Sequence, residues 1–309
     1  MPFYDPAMRR LGILLLAATA GCGGVSADKA CTDFAASVCT DIENCAAPLI
    51  TTQYGDVATC QMRAKASCLT DLMAPSSSAT PDKLDHCATA SNMIACDALF
   101  TRDTPKDCIP DPGKLADGMA CGADAQCVST YCKKPANEVC GVCGARAAAG
   151  AACSVDADCD FKLACANGVC VAYAALGATC DAGHPCAAPN LCKNGVCAAP
   201  AGAGQPCTPS ATGGDCDETK GLFCNPSSAT AGVCAQAMFV GPGQACGFVN
   251  NTFVGCSAGG ICKRTGLMGT CLAPAADGGT CDATNGPGCL APAECVGGIC
   301  KLPNPAGCM

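Results

Sequence analysis

The sequence predicts a small disulfide-rich fold: an N-terminal disulfide-stapled three-helix unit followed by tandem β-hairpin/loop cysteine modules. Three observations carry this. Cysteine supplies 35 of 309 residues, above the roughly 8–10 % that marks a disulfide scaffold in an exported chain. Large core formers are scarce: 58 Ala and the 35 Cys make up most of the 50 % hydrophobic content, with eight Phe, four Tyr and no Trp. The cysteine spacing also changes from helical to turn-bounded near Gly118. Ordering each residue costs about 1–2 kcal/mol, so covalent staples must supply what a core does not.

The chain opens with Arg9-Arg10, an apolar run Leu11–Ala20 and then Gly21-Cys22. The run is half the roughly 20 residues a membrane helix needs, so residues 1–21 read as a signal peptide, with Met8 an alternative start. Thr19-Ala20-Gly21-Cys22 resembles the lipobox of bacterial lipoproteins, although Thr19 stands where that family usually has Leu. The resemblance implies that Cys22 carries the lipid and anchors the chain to a membrane; Gly23, in place of Asp, implies the outer membrane or cell surface. Using Cys22 leaves 34 cysteines, an even number. The cleaved chain would hold 25 acidic and 16 basic residues, net −9, without a Lys/Arg cluster longer than a pair. That surface excludes nucleic acid as a partner.

A tether, 22–29, leads to a helical cysteine-rich domain at 30–108. Cys31, Phe34, Ala35, Val38, Cys39 and Ile42 share one helix face. Val57, Cys60, Ala64, Cys68 and Leu72 share another, and a third helix is expected from the cap Thr80-Pro81-Asp82 through Cys87 to Leu99. Eight residues of helix rise about 12 Å, beyond the roughly 7 Å limit for bonded Cα atoms. Cys31, Cys39, Cys45, Cys60, Cys68, Cys87, Cys96 and Cys108 must therefore bond between helices.

After a linker, 109–117, G-x-x-C opens and G-x-C closes six modules, at 118–143, 150–170, 177–197, 204–234, 243–271 and 278–300, with a tail at 303–309. Their cysteines are Cys121, Cys127, Cys132, Cys140 and Cys143 in block one, and Cys153, Cys159, Cys165 and Cys170 in block two. Block three has Cys180, Cys186, Cys192 and Cys197, and block four Cys207, Cys216, Cys224 and Cys234. Block five has Cys246, Cys256, Cys262 and Cys271, block six Cys281, Cys289, Cys295 and Cys300, and Cys308 lies beyond. Blocks of about 27 residues fall below the roughly 40 that usually fold unaided. Asn167-Gly168 and Asn194-Gly195 predict type I′ hairpins, in which Cys165 faces Cys170 and Cys192 faces Cys197. Each facing pair can bond to itself or to earlier cysteines of its block; the second ties hairpin to loop and is preferred. The modules are expected to form a rod-like array.

From 121 to 170 the spacing C-x5-C-x4-C-x7-C-x2-C-x9-C-x5-C-x5-C-x4-C and the closing Asn-Gly-Val-Cys resemble the Dickkopf N-terminal cysteine-rich domain. That pattern has an adjacent cysteine pair where this chain has Cys159-Asp160. The resemblance implies a disulfide frame and, beside a bacterial lipobox, nothing functional. Lipobox, helical segment and tandem blocks together resemble bacterial cysteine-rich lipoproteins without an established activity.

Cys140-Gly-Val-Cys143 has thioredoxin or zinc spacing but closes a disulfide block. Asp156-Ala-Asp158-Cys-Asp160 imitates the start of a calcium loop, yet Phe161 and Asn167 occupy the positions an EF-hand gives to Gly and Glu. His86 and His184 lack nucleophile systems. Gly213-Gly214 and Gly297-Gly298 read as turns, and Asn250-Asn-Thr252 matches a glycosylation sequon. No catalytic, cofactor or metal residue is assigned. The sequence supports a lipid-anchored, non-enzymatic extracytoplasmic structural or protein-interaction protein with an unidentified protein or surface partner. A protease inhibitor is the alternative, and thiol-based metal binding a third.

Overall fold

A computed structural model describes residues 24–92, 94–135, 138–209, 215–250 and 252–308. The signal peptide, Cys22, Gly213-Gly214 and Asn251 of the sequon lie outside the described residues. The chain is disulfide-rich, with helices at its N-terminal end and small β-hairpins after them.

Helix α1, Ala27–Gln53, starts where Ser26 accepts the Lys29 N–H, with Asp28 in its first turn. It kinks at Ala46, where φ is −157° and ψ 62°. Pro48 is the cause, since it lacks an N–H and its ring crowds the preceding turn. Helix α2, Val57–Leu72, is capped by Asp56, which accepts from Thr59. Thr80 caps α3, Pro81–Ser91, with Pro81 at the first helical position. The expected continuation of this helix to Leu99 does not occur. Ala95 is extended, and a separate short helix α4, Cys96–Phe100, follows. Ser91-Asn92 is a poor helix-forming pair, and the break lets Cys96 reach Cys45 while Cys87 reaches Cys108.

Cys31–Cys68 and Cys39–Cys60 staple α1 to α2 in antiparallel order, with Cα separations of 5.6 and 6.0 Å. Around the second bond Ile50 is buried, with Ile42, Tyr54, Val57 and Ala64 packed against it. Ser37 donates to the Ala88 carbonyl and ties α1 to α3.

The six blocks share one backbone plan. The glycine of G-x-x-C holds φ between +76° and +84°, a left-handed conformation that favours glycine. Its N–H donates at 2.8 Å to the carbonyl of the closing cysteine: Gly118 to Cys143, Gly150 to Cys170, and likewise through Gly278 to Cys300. The closing cysteine's N–H returns a bond to the residue after that glycine, as Cys170 does to Ala151 at 2.9 Å. Opening and closing signatures are thus two halves of one clasp.

Within each block the first cysteine bonds the third and the second bonds the last. Block two joins Cys153 to Cys165 and Cys159 to Cys170. Blocks three to six repeat this through Cys180–Cys192, Cys186–Cys197, Cys207–Cys224, Cys216–Cys234, Cys246–Cys262, Cys256–Cys271, Cys281–Cys295 and Cys289–Cys300. The facing pairs Cys165/Cys170 and Cys192/Cys197 sit opposite in their hairpins and bond backward into the loop. Asn167 and Gly168 both have positive φ, 52° and 78°, as a type I′ turn requires.

Blocks four and five depart from the minimal plan. Block five inserts a hairpin, Ala245–Val249 with Thr252–Cys256, into a five-stranded sheet, and Met238–Val240 joins it in parallel. Phe223 of block four stacks on Phe253 at 3.9 Å between ring centroids.

The rod-like array does not form. Block one receives Cys121–Cys132 and Cys127–Cys143, and its fifth cysteine, Cys140, bonds Cys308 across 168 residues. The tail is therefore tied to the first block. Between those ends the array folds back on the helical unit. Ser78 donates to Ala125 of block one, and Arg102 to the Asp156 and Cys159 carbonyls of block two. Ala258 and Gly259 of block five donate to Thr51 and Thr52. Arg63 pairs with Asp277 at 2.9 Å and donates to the Leu290 carbonyl of block six. Blocks this small bury little of their own, and the helices serve as the surface on which blocks one, two, four, five and six pack.

Candidate functional site: the hairpin face and the junction of the first two blocks

The residue before the closing cysteine stands on the outer face of each hairpin. In the first four blocks it is Val142, Val169, Val196 and Val233, each 38–49 % exposed. The disulfides lie on the other face, where Cys143, Cys170, Cys197 and Cys234 are nearly inaccessible. Strand alternation forces this arrangement: a buried cysteine turns its neighbour to solvent. It does not demand that the neighbour be apolar.

The proposed calcium-like acids have other work. Asp158 is buried and accepts from the Ser154 N–H at 2.8 Å and the Tyr131 hydroxyl at 3.0 Å, with Lys133 3.5 Å away. Burial raises its pKa, but those hydrogen bonds and the Lys133 charge outweigh it and hold the carboxyl below its usual range. Asp156 accepts the Cys165 N–H at 2.7 Å. Block one repeats the scheme with Gln126, which accepts from Gly122 and Ala123, and Asp124, which accepts from Cys132. The acidic run at 156–160 therefore clamps a loop.

Cys140 and Cys143 belong to different bonds, to Cys308 and Cys127, so the C-x-x-C is not a dithiol pair. Three sulfurs of a block, such as Cys121, Cys127 and Cys143, lie within 4.8 Å of one another. All are in disulfides, and a metal takes thiolates. His184 Nδ1 lies 2.9 Å from Asp181 on an exposed loop, and His86 is exposed on α3.

A polar junction that the sequence reading did not single out joins α4 to blocks one and two. Arg146 lies 4.2 Å from the Tyr131 ring centroid and 4.9 Å from that of Phe161, and it pairs with Asp124 at 2.9 Å. Arg102 approaches the same Phe161 ring at 5.9 Å. Burial lowers the Arg146 pKa, Asp124 opposes that, and the neighbouring Arg102 charge adds to it. Burial and the Asp158 contact push Tyr131 up to about 12. Tyr131, Arg146 and Phe161 carry a sequence signal only as isolated large residues between cysteines. Their partners are 15–30 residues apart, too far for local pattern to pair them.

Seventeen disulfides place the chain in an oxidising, extracellular type of environment. Among the described residues no helix is long and apolar enough to cross a membrane. A family model described as a domain of unknown function (DUF7107) matches residues 152–199. That span takes in blocks two and three, which share one cysteine spacing, four cysteines separated by five, five and four residues. No curated protein and no solved structure matches the chain.

Proposed function

We propose that the chain is an exported, lipid-anchored protein, attached to the outer membrane or cell surface through Cys22, that binds another protein without catalysing a reaction. The observation that carries this is the recurrence of an exposed valine at one structural position in four successive blocks. A rigid hairpin loses little conformational freedom when it docks, and burying a valine contributes about 1.5 kcal/mol or more. Repeated presentation multiplies that gain along one partner.

The reading is tested with a variant carrying Val142, Val169, Val196 and Val233 all changed to Ser, compared with wild type at equal disulfide content. Photo-crosslinking on intact cells should give a discrete adduct with wild type and at least tenfold less with the variant. Equal yields from the two proteins would remove the hairpin face. For the anchor, labelled palmitate should enter the wild-type chain and be absent from Cys22→Ser.

A further inference from the structure

At the junction of α4 with blocks one and two, a cleft of about 440 Å³ carries Arg102, Lys134 and Arg146 on its walls against one carboxylate, Asp124. That carboxylate is committed: one oxygen accepts the Cys132 N–H at 2.8 Å, the other an Arg146 N–H at 2.9 Å. Arg102 donates one N–H from each terminal nitrogen to the carbonyls of Asp156 and Cys159, which leaves its charge uncancelled and further donors of the five for a ligand. Asp103 nearby is held by Lys162 at 2.9 Å, and Asp158 by Tyr131 and Lys133. Asp160 acts on Arg146 and Asp71 on Lys134 from outside the lining, so the positive surplus is that of the cleft walls themselves, in a chain whose net charge is −8.

Two further features point the same way. Arg102 and Arg146 share the Phe161 ring, at 5.9 and 4.9 Å, so two like charges flank one aromatic side chain. Arg102 also holds φ at +57° just after the C-cap Thr101 of α4. Glycine is the residue best suited to that place. Arginine there runs against local backbone preference, and its guanidinium is what reaches block two and the cleft.

We infer that this cleft binds a small ligand bearing an oxyanion, of sugar-acid size, whose carboxylate, sulfate or phosphate group bridges Arg102, Arg146 and Lys134. Guanidinium forks match planar carboxylates and phosphate oxygens two bonds at a time. The volume lies in the range of about 300–1,000 Å³ usual for small-molecule sites, larger than a bare ion fills. None of the four exposed valines lines the cleft, although Val142 pairs with Lys133 beside Lys134, so serine at the valines and glutamine at the cleft test different side chains and the two proposals are separable.

The test is calorimetric titration of the full oxidised chain at low salt with glucuronate, inorganic phosphate and neutral glucose. Glucuronate should bind one per chain and at least tenfold more tightly than glucose, and added salt should weaken it. Phosphate binding as tightly as glucuronate would still support the cleft and assign it to a bare oxyanion. Arg102→Gln and Lys134→Gln should each weaken glucuronate at least tenfold, while Lys301→Gln, exposed elsewhere, should not. Arg102 also holds block two in place, so Lys134→Gln is the cleaner variant: its side chain makes no hydrogen bond or ion pair among the described residues. Glucuronate and phosphate both binding no better than glucose, or unchanged glucuronate binding by both cleft variants, would overturn the inference.

Discussion

Gly150 isolates what a single residue contributes to the clasp. Its φ is +84° and a Cβ there would meet nothing within 4 Å, so Gly150→Ala tests backbone conformation alone. The left-handed conformation costs a side-chain-bearing residue about 1–2 kcal/mol. Gly144, also open but without positive φ, should accept Ala within about 0.5 kcal/mol. Thermal unfolding under non-reducing conditions measures the difference. Asp71 tests burial. Desolvation beside the cavity between α2 and block one lifts its pKa to about 6, with Lys134 opposing. A carboxyl raised in the folded state is neutral in both states below the unfolded value near 3.9, and its penalty grows as pH rises through about 6. Asp71→Asn should therefore stabilise the chain by about 1–3 kcal/mol at pH 7 and by nothing measurable at pH 3, read by denaturant unfolding at both.

Residue-level signals were unevenly legible in the sequence. The G-x-x-C glycines and the Asn-Gly turns announce themselves, because few residues tolerate left-handed backbone. A third position of every block did not. Leu115, Ala147, Ala174, Ala201, Val240 and Ala275 lie three residues before the opening glycine and pair in parallel with the second cysteine. They act through backbone atoms, and alanine is too common in this chain for its recurrence to stand out.

At the scale of elements, the loop clamp around Asp158 gives a prediction with a sign. Its folded pKa is depressed, so its contribution is present above the unfolded value near 3.9 and is lost as pH falls through the folded one. Asp158→Ala removes the acceptor for Ser154 and Tyr131 and should cost about 1–3 kcal/mol at pH 7, a cost that shrinks on acidification below about pH 4. Unfolding midpoints across pH 2–7 check it. The helices were legible from spacing because each buries one face, and Thr80-Pro81 marked a start that the structure shows. The end of α3 was not, since Cys96 and Leu99 keep a helical spacing while the bonds Cys45–Cys96 and Cys87–Cys108 require a break. Tertiary cross-links overrode a local periodicity.

For the whole molecule the central feature is closure. A repeated signature describes each block and says nothing of where the next one sits, which is why the sequence reads as a rod. What bends the array back is chemistry spaced far along the chain: Arg63 on α2 with Asp277, Thr51 and Thr52 of α1 with block five, and Cys140 with Cys308. The helical unit is the hub and the last disulfide the fastening. The most direct test is disulfide mapping of the native chain by non-reducing proteolysis and mass spectrometry. It should find Cys140 linked to Cys308, and Cys153–Cys165 with Cys159–Cys170 as the pattern of each block. Recovery of Cys140–Cys143 or of hairpin pairs such as Cys165–Cys170, with Cys308 free, would contradict both the clasp and the closed array.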